Sequence, residues 1–185
     1  EHAFLSGDQQ RFNEILRPGI REMAQIGRGD ELIRWSKYSG EGSDYSDARK
    51  LIVKALGHMV NLNFDMAEAV ATEAKFAVGK ENQDSDQRSR VDLILSYVYF
   101  ARGDLAKAQE TQEKSFRDAN PLIEARFQDH IALYRLAATI ALIHDDYLEI
   151  ERIYKCANEL LVNPKWSNSA YQVQCIRTLK LFGEG

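Results

Sequence analysis

Between Arg90 and Phe116 apolar residues fall at helical spacing in two successive runs. In the first, Val91, Leu95, Val98 and Tyr99 recur every three or four positions, and Leu93, Ile94 and Tyr97 widen the apolar side. In the second, Leu105, Ala108, Thr111, Gln112 and Phe116 share one stripe, and Ala106 and Ala108 are small enough for close approach to a neighbour. Gly103 stands between the runs. It enters the left-handed conformation without a Cβ clash and so ends the first helix. Asp104 is then placed to cap the second helix by accepting a backbone N–H. This is a helix hairpin, and a hairpin of this size cannot bury both its apolar faces alone.

The same plan is expected on each side. Gly103-Asp104 aligns with Phe64-Asp65 and with Asp145-Asp146. In that alignment Gly57, Ser96 and Ala138 stand seven positions before the turn, Val60, Tyr99 and Ala141 four before it, and Ala69, Ala108 and Ile150 five after it. A small residue is needed where two helices cross, so equivalent slots take the same residue class. The order of small residue, aromatic, Gly-Asp-type turn and alanine resembles a tetratricopeptide unit, with a period longer than the usual ~34 residues. The prediction is an all-α chain, an α-solenoid of antiparallel helix hairpins forming a tetratricopeptide-like superhelix. Three prolines and no alternating β-branched run agree with it.

The expected organisation is a single helical-repeat domain over residues 1–185. It has an N-terminal helical region at 1–46, hairpins at 47–82, 86–120 and 121–163, and the start of a further repeat at 164–185. Residues 1–6 read as a helix stub and 9–28 as a helix kinked at Pro18-Gly19 and ended by Gly27 and Gly29. A short helix at 30–38 carries Leu32, Ile33 and Trp35, and Ser39 to Ser43 form a loop. Asp47 is placed to cap a helix over 48–62 and Asp65 one over 66–79, the latter with Ala67, Ala69, Ala71, Ala74 and Ala77 for tight packing. Residues 80–87 read as a solvated loop. Asn120-Pro121 opens the longest helix, to His144, followed by helices over 147–162 and 168–182. The chain opens as if on the end of one helix and closes on the end of another, so an excised piece of a longer protein is expected.

Composition narrows the function classes. A net charge of −4 supplies no basic field for nucleic acid. No apolar run is long enough to span a bilayer, and no signal peptide is evident. Cys156 and Cys175 sit on apolar stripes of predicted helices and read as buried free thiols, which favours a reducing, cytoplasmic compartment. No cofactor is expected in this segment.

In a helical solenoid the first helix of each pair lines the concave groove. The alignment puts His58, Tyr97 and Thr139 six positions before the turns, Lys54, Leu93 and Arg135 ten before, and Leu51, Arg90 and Ala132 thirteen before. Lys54, Arg90 and Arg135 are then expected to carry positive charge on one inner wall, near His58, Tyr97 and Thr139. Such a wall suits an anionic small molecule or a peptide with an acidic or carboxylate end. The competing reading is ordinary solvated charge.

No catalytic set emerges. His144-Asp145-Asp146 is similar to the His-Asp pair of metal-dependent phosphohydrolases, but those sites need a further upstream histidine. His130 lies on the same predicted helix, about 21 Å away along its axis, so helix capping by Asp145 or Asp146 is the expected role. His2, His58, His130 and His144 show no ligand spacing with the two cysteines, and no serine or cysteine has a nucleophile motif. Trp35 and Trp166 read as packing residues, and Glu81 to Asp86 as a solvated connection.

The opening and the alanine-rich middle resemble the large ATP-dependent LuxR-type bacterial transcription regulators of the maltose-regulon-activator type. The residues that carry the resemblance are Ala3, Leu5, Gly7-Asp8, Ile26-Gly27, Leu32 and Trp35, then Gly57, Ala67, Ala69, Ala74, Gly103-Asp104 and Ala108. Where that family usually has Leu-Pro after the tryptophan helix, Tyr38-Ser39-Gly40 stands here. The resemblance implies a non-catalytic segment that senses a small-molecule inducer or a protein partner. An ATPase module and a helix-turn-helix module would flank it. This chain holds neither a phosphate loop nor a basic recognition helix. Direct nucleic-acid or membrane contact is therefore not expected of this segment, whereas self-association through apolar faces at its cut ends is. The alternative expectation is a stand-alone tetratricopeptide-type adaptor that holds a peptide of another protein.

Overall fold

The computed structural model describes residues 19–20, 22–38, 47–80, 85–118, 124–161, 176–178 and 180–181. Among these residues the chain is helical and turns only at helix ends, with no strand. The main helices are α1 (Gly29–Tyr38), α2 (Asp47–Val60), α3 (Phe64–Lys80), α4 (Ser85–Ala101), α5 (Leu105–Asp118), α6 (Glu124–Ile143) and α7 (Tyr147–Leu161). The chain forms two compact units, Glu1–Gln87 and Arg88–Gly185, each taken by itself below.

One turn is used four times. Gly27, Leu62, Gly103 and Asp145 all have positive φ, at 77°, 58°, 81° and 55°. Each donates its N–H three residues back, to the carbonyls of Ala24, Met59, Phe100 and Leu142. The next residue, Arg28, Asn63, Asp104 or Asp146, donates five residues back, to Met23, His58, Tyr99 or Ala141. This is the Schellman closure of a helix end, which satisfies carbonyls the helix itself leaves orphaned. That second residue also starts the next helix, because its own carbonyl accepts the first helical bond, from Leu32, Ala67, Ala108 or Ile150. At three turns its side chain caps as well. Asn63 Oδ1 accepts from the Met66 N–H at 3.4 Å, and Asp104 and Asp146 accept from Lys107 and Glu149 at 3.1 Å each.

This geometry corrects the register of the first hairpin. The counterpart of Gly103-Asp104 is Leu62-Asn63, not Phe64-Asp65, and Asn63 rather than Asp65 is the cap. Counted from Leu62, the slot seven before the turn holds Ala55, Ser96 and Ala138, and the slot five after holds Ala67, Ala108 and Ile150. All six are fully buried. Ala69, taken for the second slot in the sequence alignment, is exposed.

In unit 1, α2 packs against both α1 and α3. The α1–α2 crossing brings backbones together. A Cβ added to Gly57 would lie 2.8 Å from the Gly29 carbonyl oxygen and 2.8 Å from Ile33 Cγ1. One added to Gly29 would lie 2.5 Å from the Gly57 carbonyl oxygen. Gly29, expected to end the preceding helix, instead opens α1 at this contact. Asn61 Nδ2 donates to Asp30 Oδ1 at 2.7 Å beside it. Leu32, Ile52, Val53, Ala67, Val70, Ala71, Ala74 and Val78 form the core.

In unit 2, α6 packs against α5 and α7. The α4–α5 crossing is polar: the Ser89 and Ser115 hydroxyls lie 3.0 Å apart, each also within reach of the other residue's carbonyl, at 3.2 and 2.8 Å. Both serines are buried. Helices α4 and α6 are buried around most of their girth, as runs such as Ile94, Leu95, Ser96, Val98 and Tyr99 demonstrate. Helices α5 and α7 bury one stripe each, Ala108, Thr111, Gln112 and Ser115 in α5, and Ile150, Ile153 and Ala157 in α7. Ile131, Ala138, Ile153, Ala157 and Ile176 form one cluster, bordered by Tyr134, Ala137 and Tyr154.

Several expectations change or fall elsewhere. The solvated loop over 80–87 is shorter, since α4 begins at Ser85 and Gln87 is buried. Cys156 is a free thiol but only half-buried. The expectations for 1–18, 39–46, Asn120-Pro121, Trp166 and Cys175, and for the side chain of His130, lie outside the described residues.

Replacing Gly57 by alanine should destabilise unit 1 by about 1–3 kcal/mol, because backbone must move to admit the methyl. It should do so despite alanine's better helix propensity. Urea unfolding of the two proteins checks this, and the exposed Gly79→Ala, with nothing within 4 Å of an added Cβ, serves as the control that should not lose stability.

Candidate functional site

The six residues expected to line a groove fall in both units. Lys54 and His58 belong to unit 1, and Arg90, Tyr97, Arg135 and Thr139 to unit 2.

The corrected register gives Lys54 and His58 a different standing. Counted from Leu62, His58 occupies the slot that holds Tyr99 and Ala141 in the later hairpins, and both of those are buried. Lys54, four residues earlier on the same helix face, occupies the slot of Leu95 and Ala137. The imidazole of His58 accordingly lies half inside, with Nε2 buried and without a hydrogen-bond partner. Burial, and then the Lys54 charge one turn away, hold its pKa below the ordinary histidine value. His58 is therefore neutral in the folded protein at neutral pH.

In unit 2 three of the four candidates meet. Tyr97 Oη reaches from α4 to α6 and donates to the Ala132 carbonyl at 3.1 Å. The same oxygen accepts from Arg135 Nη2 at 3.3 Å. Thr139, one turn after Arg135, donates its hydroxyl to the Arg135 carbonyl at 2.9 Å. Arg90 stands two turns before Tyr97 on the same side of α4. Arg135 is exposed and Arg90 half-buried. The result is a face on which a phenol hydroxyl steadies a guanidinium, an arrangement able to receive a carboxylate or phosphate through paired N–H donors.

Unit 2 also contains a cleft of about 670 Å³ between α5, α6 and α7, within the size range of small-ligand sites. None of the six candidates lines it. Phe116 and Tyr134 form its aromatic part, with ring centroids 4.8 Å apart and planes tilted by 47°. Burial first, and then Cys156, push the Tyr134 phenol above its ordinary pKa. Glu149 holds Arg152 through two bonds of 2.6 and 2.5 Å and keeps it fully charged. His144 and Asp146 are on its wall, and Asp146 is a helix cap as expected. The cleft was not legible as a groove because second helices and a turn build it. Its one sequence signal is Gln112, an amide on the otherwise apolar stripe of α5.

Among the described residues no group of three or more His, Cys, Asp or Glu side chains could hold a metal ion, and no helix is long and apolar enough to cross a membrane. Comparison with protein-family models, with curated proteins and with solved structures returned no match to this chain.

Because the unfolded chain accepts a proton on His58 that the folded chain resists, stability should fall as pH drops below 6.5 toward the lower folded pKa. Above that window the contribution is fully present. Urea midpoints at pH 7.5 and 5.0 measure the drop, and His58→Phe should flatten it.

Proposed function

We propose that this chain is a non-catalytic helical-repeat segment, tetratricopeptide-like and superhelical, that senses a ligand or partner within a LuxR-type transcription regulator. The observation that carries the reading is the fourfold turn, with the same backbone bonds at Gly27, Leu62, Gly103 and Asp145. Hairpins closed in one way, with a small residue at one fixed slot before the turn, are units suited to stacking. The residues that suggested the regulators also hold structural posts. Gly27 and Gly103 make the left-handed turns, Gly57 makes a backbone crossing, and Leu32, Ala67, Ala74 and Ala108 are buried.

The sensing face proposed is that of Arg90, Tyr97, Arg135 and Thr139, and its ligand is an anion, either a small acid or the carboxylate end of a peptide. The Tyr97–Arg135 bond supports this, since it holds a guanidinium in place before any ligand arrives. In the regulator the segment acts in the cytoplasm and carries out no chemistry itself.

A thermal-shift screen of small organic acids and of peptides with free C-termini should raise the melting temperature with some of them. Arg90→Ala/Arg135→Ala should weaken each such ligand about tenfold or more, the loss of a charge-assisted pair. A peptide ligand in preference to any small acid would favour the adaptor reading over sensing. Unchanged affinity in the double variant would overturn the assignment of this face.

A further inference from the structure

The cleft between α5, α6 and α7 carries chemistry opposite to that of the Arg135 face. Gln112 lines it, only 6% exposed, and its side-chain amide has no hydrogen-bond partner among the described residues. A primary amide has two donors and an acceptor oxygen to satisfy, and one so deeply enclosed is costly to leave unpaired. It opens into the cleft, where a ligand can complete it.

Charge selects the ligand's class. Arg152 is the one described arginine or lysine lining the cleft, and Glu149 engages it through both of its oxygens. That leaves two carboxylates on the wall without an ion-pair partner among the described residues. Glu113, on α5 beside Gln112, accepts only the Gln109 amide at 3.4 Å. Asp146, at the head of α7, accepts only the Glu149 N–H. The Phe116–Tyr134 pair adds aromatic surface, against which a cation or a flat ring packs favourably. Ala137, Ile140 and Ile153 make the remainder apolar.

We propose that this cleft is a binding site for a small organic cation, a primary ammonium or guanidinium carried on an aromatic or apolar body. Glu113 and Asp146 neutralise the charge, Gln112 hydrogen-bonds the polar group, and Phe116 with Tyr134 takes the body. The site lies wholly within unit 2 and does not depend on the chain's being a regulator or an adaptor.

The test uses the full 185-residue chain. Its probes are 2-phenylethylamine and phenylguanidine, with phenylacetate as the anion and 2-phenylethanol as the neutral control. Titrations followed by calorimetry and by the Gln112 side-chain amide resonances should show saturable binding of both cations, a shift of those resonances, and far weaker binding of the two controls. Glu113→Gln and Asp146→Asn should each weaken the cations about tenfold. Glutamine is tolerated at an exposed helical site, and asparagine still caps a helix. Arg135→Ala should leave cation binding unchanged, which separates this site from the face proposed for anions. The proposal is overturned if neither cation binds at millimolar concentration, if phenylacetate binds as well as the amine, or if neither carboxylate variant alters affinity.

Discussion

Two helices can close to backbone contact only where neither places a side chain between them, and this steric rule governs the whole chain. Unit 1 depends on it at Gly29 and Gly57, where each glycine's missing Cβ is filled by the other's carbonyl. Beyond that point Ala67, Ala71 and Ala74 let α3 lie close to its neighbour. Unit 2 meets the rule with Ala108, Ala138 and Ala157, and with serines at the α4–α5 crossing. Close approach brings larger residues such as Ile52, Leu95 and Ile153 into mutual contact, and their burial supplies the apolar stabilisation.

The turns convert these contacts into hairpins. A Schellman closure followed at once by a cap leaves little freedom in how the next helix departs. Two of the four left-handed positions are glycine, which makes no Cβ clash there. Leu62 and Asp145 adopt the same conformation at a cost, and the six backbone bonds around them hold them in it.

That difference explains how far the sequence could be read. Gly103-Asp104 announces its turn, and the all-helical class and the course of α4 to α7 follow from it. Leu62 announces nothing, since leucine seldom has positive φ, so Phe64-Asp65 was the more natural partner by composition. A slip of two residues followed, and it moved Lys54 and His58 from core slots to groove slots. Tyr97, Arg135 and Thr139 escaped the error because their turns at Gly103 and Asp145 were placed correctly. What brings Tyr97 and Arg135 together is the α4–α6 packing, which residue spacing along one helix cannot report. The cleft was hidden for a similar reason. Its residues come from two second helices and a turn, and only folding places them on one wall.

The paired hydroxyls of Ser89 and Ser115 have a consequence of a different kind. An apolar seam tolerates sliding, because one methyl group replaces another at little loss. Here a slide of α5 along α4 by a single turn would strand two enclosed hydroxyls against hydrocarbon, each deprived of both the other oxygen and the facing carbonyl. The serines thus act as a detent. They add modestly to the depth of the energy well, but they make its position unique, and so they fix how far each residue of α5 stands along α4.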